Sequence, residues 1–184
     1  MIILGIDPGS VNCGWGAVRT GSGNKLELIE YGVIRVRKAH EAIPARLKEI
    51  YTRICGIIER VGPDCAVFES TFYSHNAQSL MKLSHARAAA ILAAAMNDIP
   101  VKEYSPKEVK KSVTGRGAAG KGQVDYMVRS MLGIDETPEF YDATDALAVA
   151  ICYSVKRGSP AKNSGSWADY INKNSNRIID PNKR

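Results

Sequence analysis

Met1-Ile2-Ile3-Leu4-Gly5-Ile6-Asp7-Pro8-Gly9-Ser10 opens the chain, and its reading decides the rest. The run of branched apolar residues predicts a buried strand, because such side chains suit a pleated, covered surface. Pro8-Gly9 stops that strand and turns the chain. Asp7 stands at its tip, a charge that an apolar strand does not carry without a use. Open α/β sheets hold ligands in the crevice beyond their strand ends, so a carboxylate there points at a site. Taken alone, Asp7 also reads as an ordinary turn residue. The decision rests on whether other acids converge on it.

Working outward, Cys13 to Val18 predicts a second strand, Gly21 to Asn24 a turn, and the alternating stretch Lys25 to Val36 a third strand. Strands so close in sequence form an antiparallel meander. Apolar residues recur at helical spacing from Ile43 to Val61 and stop before Gly62-Pro63. Cys65-Ala66-Val67-Phe68-Glu69 then reads as a buried strand, parallel to the first because a helical crossover precedes it, and it too ends in an acid. Asn76 to Asn97 predicts a long helix that is apolar almost all round once past Arg87, hence buried on more than one side. Packing within one core and burial against a second copy of the chain both stay open for it.

Pro100 to Tyr104 is a short strand, and Ser105-Pro106-Lys107-Glu108 is a capping box that starts a basic helix running to about Val113. A loop from Gly115 to Gly122 leads to a helix from about Gln123 to Leu132. Thr137-Pro138 opens the last helix, which ends near Gly158. The order βββαβαβααα predicts an α/β domain over residues 1–158, a mixed five-stranded sheet flanked by helices. Residues 159–184 are rich in Ser, Asn and Lys and read as a basic, mobile tail.

The chain has 184 residues and a net charge of +6. Residues 157–184 hold six bases against two acids, which leaves 19 bases and 17 acids on the body. A polyanion partner therefore requires the bases to cluster. They do so once, where Lys102, Lys107, Lys110, Lys111, Arg116, Lys121 and Arg129 face only Glu103, Glu108 and Asp125. The four cysteines show no C-x-x-C spacing and lie in or beside apolar stretches, as expected of reduced thiols in a cytoplasmic protein. The apolar start is too short for a signal peptide, and no stretch is long enough to span a bilayer.

Asp142 and Asp145 lie three apart on the last helix, so both carboxylates face the same way, among alanines that press that face onto the body. Like charges on a packed face repel one another and lose hydration. A first helical turn favours acids, which accounts for Asp142 without any site, but Asp145 lies further in. With the first and fourth strands as neighbours, Asp7 and Glu69 reach the same end of the sheet. Four converging carboxylates need a divalent cation, and oxygen ligands without His or Cys suit Mg²⁺ or Mn²⁺.

Ile6-Asp7-Pro8-Gly9-Ser10 with Gly14 and Gly16, Glu69 at a strand end, and Asp142-Ala143-Thr144-Asp145-Ala146-Leu147-Ala148 resemble the RuvC-type Holliday-junction resolvases. The match continues through Asn76-Ala77-Gln78-Ser79, Lys82-Leu83, Ala86-Arg87, Val109-Lys110 and Lys121-Gly122-Gln123-Val124, over roughly residues 1–155. The resemblance implies a ribonuclease-H-like fold, a homodimer, and Mg²⁺-dependent resolution of four-way DNA junctions in recombination and repair. Paired symmetric nicks would leave 5′-phosphate and 3′-hydroxyl ends. It puts Asp7, Glu69, Asp142 and Asp145 at the family's four acidic positions. Two cations about 3.5–4 Å apart would then activate water and stabilise the leaving oxygen. Asp7 is the expected bridge, Glu69 and Asp142 complete the site, and Asp145 binds metal or orients water.

Lys110 and Lys121 match basic positions that the family uses for DNA phosphates or the active site, although most lysines are simply solvated. Phe72 matches an aromatic that stacks on a base near the junction centre, against an ordinary role in partial core packing; such stacking is worth about 1–3 kcal/mol per base. His75 and His85 show no ligand pairing. The resemblance also implies work beside a branch-migration helicase complex.

Four rival readings stand against this one. Gly115-Arg116-Gly117-Ala118-Ala119-Gly120-Lys121-Gly122 nearly spells a P-loop, but Gly122 replaces the hydroxyl that would hold Mg²⁺ and a helix precedes it instead of a strand. Sugar-kinase or actin-like ATP hydrolysis needs a duplicated second half, for which 184 residues leave no room. A junction-binding module without catalysis needs no aligned acids. The closest rival is a nuclease of the same architecture acting on RNA or RNA–DNA hybrids. For the tail, deletion of residues 160–184 is expected to leave a soluble, cooperatively melting protein; an insoluble product would overturn its reading as a mobile appendage.

Overall fold

The computed structural model describes residues 1–21, 25–36, 42–70, 77–135 and 141–158. Within them the chain runs β1 (Ile2–Asp7), β2 (Asn12–Thr20), β3 (Leu26–Arg35), α1 (Ile43–Val61), β4 (Cys65–Glu69), α2 (Ala77–Met96), β5 (Val101–Tyr104), α3 (Pro106–Thr114), α4 (Lys121–Leu132) and α5 (Tyr141–Gly158). This is the order expected from the sequence. Phe72, His75, Thr137-Pro138 and the tail fall outside the described residues.

The strands form one sheet in the order β3-β2-β1-β4-β5. The first three are antiparallel neighbours; β4 and β5 run parallel to β1 after the crossovers α1 and α2. β1 lies at the centre and is covered on both sides. Alternate residues of a strand face opposite ways, so Leu4 and Ile6 pack in the core shared with α1 and α2, while Ile3 packs in the core shared with α3, α4 and α5. Covering both faces is why the opening run is apolar without alternation. Cys13, Cys65 and Cys152 are buried, Cys55 is half-buried, and all four are free thiols. Among the described residues no helix is long and apolar enough to cross a membrane.

Ser105 caps α3 as expected: its hydroxyl accepts from the Glu108 N–H at 3.3 Å, and the Glu108 carboxylate accepts from the Ser105 N–H at 2.9 Å. Lys156 of α5 hydrogen-bonds the same carboxylate. These bonds, from Lys156 first and Ser105 next, hold the Glu108 carboxyl down at about 2. α4 departs from the expectation. It starts at Lys121, not near Gln123, with Gly120 as its N-cap. The Gln123 side chain closes back on the Gly120 N–H at 3.1 Å, so the polar residue read as the first of the helix is its third. The glycine run masked that start. The connection from Gly115, left-handed at φ 76°, is correspondingly short, and its Ala119 is buried in the core.

α5 lies directly on β1 and β2 because those strands carry glycines beneath it. Gly14 stands opposite Asp7, and Gly5 opposite Gly16, in the antiparallel register. A Cβ on Gly14 would fall 1.9 Å from the Asp142 carbonyl oxygen, and one on Gly5 would fall 2.0 Å from that of Ala146. One on Gly16 would meet the Leu147 side chain at 2.4 Å. A backbone carbonyl cannot swing aside as a side-chain tip can. Gly14→Ala is therefore expected to displace α5, lowering stability by about 1–3 kcal/mol or more. Gly122→Ala, with nothing within 4 Å of the new methyl, should melt at or above the parent temperature. Equal melting of the two variants would remove the glycine contact as the cause of the close approach.

Candidate active site

Asp7 closes β1 on the same face as Ile3 and Gly5, the face that α5 covers. Asp142 and Asp145 come down onto it from the first two turns of α5. One carboxylate oxygen from each of these three residues lies within 4.8 Å of the others. Glu69 ends β4, the strand beside β1, and opens into a cleft of about 250 Å³ that Lys110, Lys121 and Asp145 also line. Its carboxylate stands outside the tight group of three. A larger pocket of about 370 Å³ between α3 and α4 is lined by no carboxylate.

The charges are strained by this proximity. Burial, joined by the fields of Asp145, Glu69 and Asp142, pushes the Asp7 carboxyl up to about 7. Burial also raises Glu69, aided by Asp145 and opposed by Lys110, Lys121 and Arg87. Asp145 is raised by burial and by Asp142 and Asp125, against the hydrogen bond and charge of Lys121. Lys121, at the first position of α4, places Nζ 2.8 Å from Asp145 Oδ2 and 5.3 Å from the Tyr141 ring centroid. Burial pulls its ammonium down, but the Asp145 hydrogen bond and the fields of the three aspartates outweigh that and hold it above its ordinary range. Beside Asp7, burial pushes the Cys13 thiol up to about 12, which keeps it a neutral wall.

An all-oxygen donor set from three packed carboxylates, one of them raised towards neutral pH by burial and by its neighbours' charge, is what a hard divalent cation would relieve. Asp7, Asp142 and Asp145 can hold such an ion directly, and Glu69 stands at the cleft wall beside them.

Two residues near the site are named in the sequence reading without a role there. Asp125, one turn after Lys121, is 6% exposed; its Oδ2 accepts from Arg129 Nε at 3.0 Å, and its Oδ1 has no hydrogen-bond partner. Its signal is a carboxylate among Val124 and Val128 on the buried side of α4. Arg87 is a buried base on a helix whose other buried residues are alanines. Its signal is the single charge at the start of that helix's apolar half.

Residues 3–153 match the family described as crossover junction endodeoxyribonuclease RuvC. The crossover junction endodeoxyribonuclease RuvC of Cytophaga hutchinsonii is 41% identical over 178 residues, covering 96% of this chain and 88% of that protein. That of Salinibacter ruber is 41% identical over 181 residues, covering 98% and 100%. Among solved structures, Thermus thermophilus RuvC in complex with a Holliday junction substrate superposes with a TM-score of 0.80 at 30% identity, covering 85% of this chain and 94% of that one. The yeast mitochondrial Holliday junction resolvase, at 15% identity and a TM-score of 0.60, shares the fold. Sheet order, helices and near full-length identity agree, and the chain belongs to the crossover junction endodeoxyribonuclease RuvC family.

Proposed function

We propose that this protein resolves four-way DNA junctions by paired, metal-dependent nicks, with Asp7, Glu69, Asp142 and Asp145 as its acidic site. The carrying observation is the approach of Asp7, Asp142 and Asp145 within 4.8 Å on a packed face. Asp7, Asp142 and Asp145 would hold Mg²⁺, with Glu69 completing the set. Bound cations would supply Lewis-acid activation of water and neutralisation of the leaving oxygen. Lys121, 2.8 Å from Asp145, opposes the burial that raises that carboxyl and so favours its charged form in the cleft. Lys110, in the same cleft, offers a charge to a DNA phosphate, which would give affinity with a strong salt dependence and no base choice. Phe72 is assigned to stacking on a junction base.

The same reading includes a homodimer. Beside the alanines that α2 buries, it leaves Met81, Leu92 and Met96 exposed at 60%, 52% and 66%. Leu92 and Ala89 share an apolar groove with Leu47 and Tyr51 of α1. A second copy on this face would give two equal sites for two equivalent strands. Cooperation with a branch-migration motor in the cytoplasm follows from the family resemblance.

Cleavage of a labelled four-way junction, set against linear duplex and RNA–DNA hybrid, tests the activity. Symmetric nicks on the junction with Mg²⁺ and none with EDTA are expected. Asp7→Asn should lose at least about 100-fold in rate while binding the junction normally. Preference for the hybrid would overturn the substrate, and an active Asp7→Asn protein would overturn the site.

The metal-free protein has a pH signature. The folded chain holds a proton on Asp7 up to about pH 7 that the unfolded chain releases at its lower, ordinary carboxylate value. Stability from this group is whole below about pH 4 and is lost as pH rises towards 7, on the order of 4 kcal/mol. In EDTA the melting temperature should fall through that window, less steeply in Asp7→Asn, and Mg²⁺ should restore it at the upper end. An identical slope in the variant would clear Asp7 of the effect.

A further inference from the structure

Arg87 is an expensive residue to bury. Its side chain is 10% exposed, yet it sits in the core face of α2 where Ala86, Ala90, Ala93 and Ala94 would accept another small apolar group. Its guanidinium is held from three sides. Nη1 donates to the backbone carbonyl of Glu69. Nη2 lies 2.9 Å from Glu103 Oε1, close enough for an ion pair but off the N–H direction, so it makes no hydrogen bond. The guanidinium carbon stands 5.6 Å from the centroid of the Phe68 ring.

The sheet shows why that carbonyl needs a donor from outside. Ala66 and Ser70 turn their N–H groups to Pro100 and Tyr104 of the β5 side, at 2.9 and 2.7 Å. The odd residues of β4, Val67 and Glu69, therefore turn their backbone groups to β1. The register pairs Ile6 with Phe68, and one step further along it Asp7 stands opposite Glu69. The next residue of that strand, which should donate to the Glu69 carbonyl, is Pro8, and proline has no N–H. The ladder runs out at the residue whose side chain must be placed.

Arg87 fills that gap from behind. Phe68 and its register partner Glu103 face α2, whereas Glu69, like Val67, faces α3, α4 and α5. We propose that Arg87 is a positioning residue of the nuclease site: from the far face of the sheet it clamps the Glu69 backbone carbonyl, with Glu103 anchoring the clamp, and so fixes where the Glu69 carboxylate stands in the cleft. This rests on the reading of Glu69 as part of the metal site. Arg87 touches neither metal nor DNA in it.

Arg87→Met, Arg87→Lys and Glu103→Gln test the clamp, read by junction binding in EDTA, by single-turnover cleavage against Mg²⁺ concentration, and by the Mg²⁺-dependent rise in melting temperature. Removing a second tier of support around metal ligands typically costs about 10- to 100-fold in metal affinity or activity. Arg87→Met should raise the Mg²⁺ midpoint of both cleavage and thermal stabilisation by about tenfold while junction affinity in EDTA stays within about twofold. Arg87→Lys, which keeps a charged donor, should recover much of the loss. Glu103→Gln changes a side chain that is 49% exposed, so it will fold, and it should fall between. Wild-type Mg²⁺ midpoints in Glu103→Gln together with either a folded, unaffected Arg87→Met or an Arg87→Lys no better than Arg87→Met would overturn the proposal. An inert wild type would instead defeat the nuclease reading itself.

Discussion

The structure depends on how near a helix can come to a sheet. α5 meets β1 and β2 at backbone distance, over Gly5, Gly14 and Gly16, where any side chain on the strands would strike the helix. Helices usually rest on sheets through layers of side chains. Here that layer is omitted along one track, and Asp142 is lowered onto the level of Asp7. Gly14 joins both requirements in one residue, since it stands opposite Asp7 in the sheet and beneath Asp142 in the packing. The acids meet because the strands give way to them.

That closeness sets the electrostatics. Three carboxylates within 4.8 Å of one another cannot all stay comfortably ionised, and burial adds to the cost. Lys121 meets part of the imbalance through Asp145, while Lys110 acts on Glu69 from the same cleft. The rest of the negative charge is left over, and it is this residue of charge that makes the site fit for a cation. A fully neutralised cluster would be stabler and would have no use for a metal. Arg87 belongs to the same economy of placement on the other face, where it serves backbone geometry more than charge.

Much of this was legible in the sequence, and what was not has physical causes. Strands and crossovers announced themselves through period and punctuation, so the element order and the mixed sheet followed from residues alone. Asp142 and Asp145 could be put on one helix face by their spacing, and Asp7 and Glu69 at one sheet end by topology. The start of α4 was hidden, because a glycine N-cap carries no side-chain signature and the Gly-rich run resembles a loop. The purpose of Gly5, Gly14 and Gly16 was invisible as well, since an absent side chain says nothing about what approaches it. Arg87 could be seen as a break in an apolar helix, but its partner is a main-chain oxygen eighteen residues away, and no pattern of side chains encodes that.

The glycine track also governs when the site comes into being. Asp7 and Glu69 belong to the first half of the described chain, whereas Asp142 and Asp145 arrive on its last element. Chains emerge from the ribosome N-terminus first and a domain folds as a unit, so β1 and β2 are made with their bare strip uncovered long before α5 exists. Until that helix settles, the two early acids face no partners and the metal set is incomplete. A nascent chain, or one cut short before residue 141, is thus a protein with half a site and an open apolar face. The cell meets the nuclease only once translation has delivered the piece that closes it.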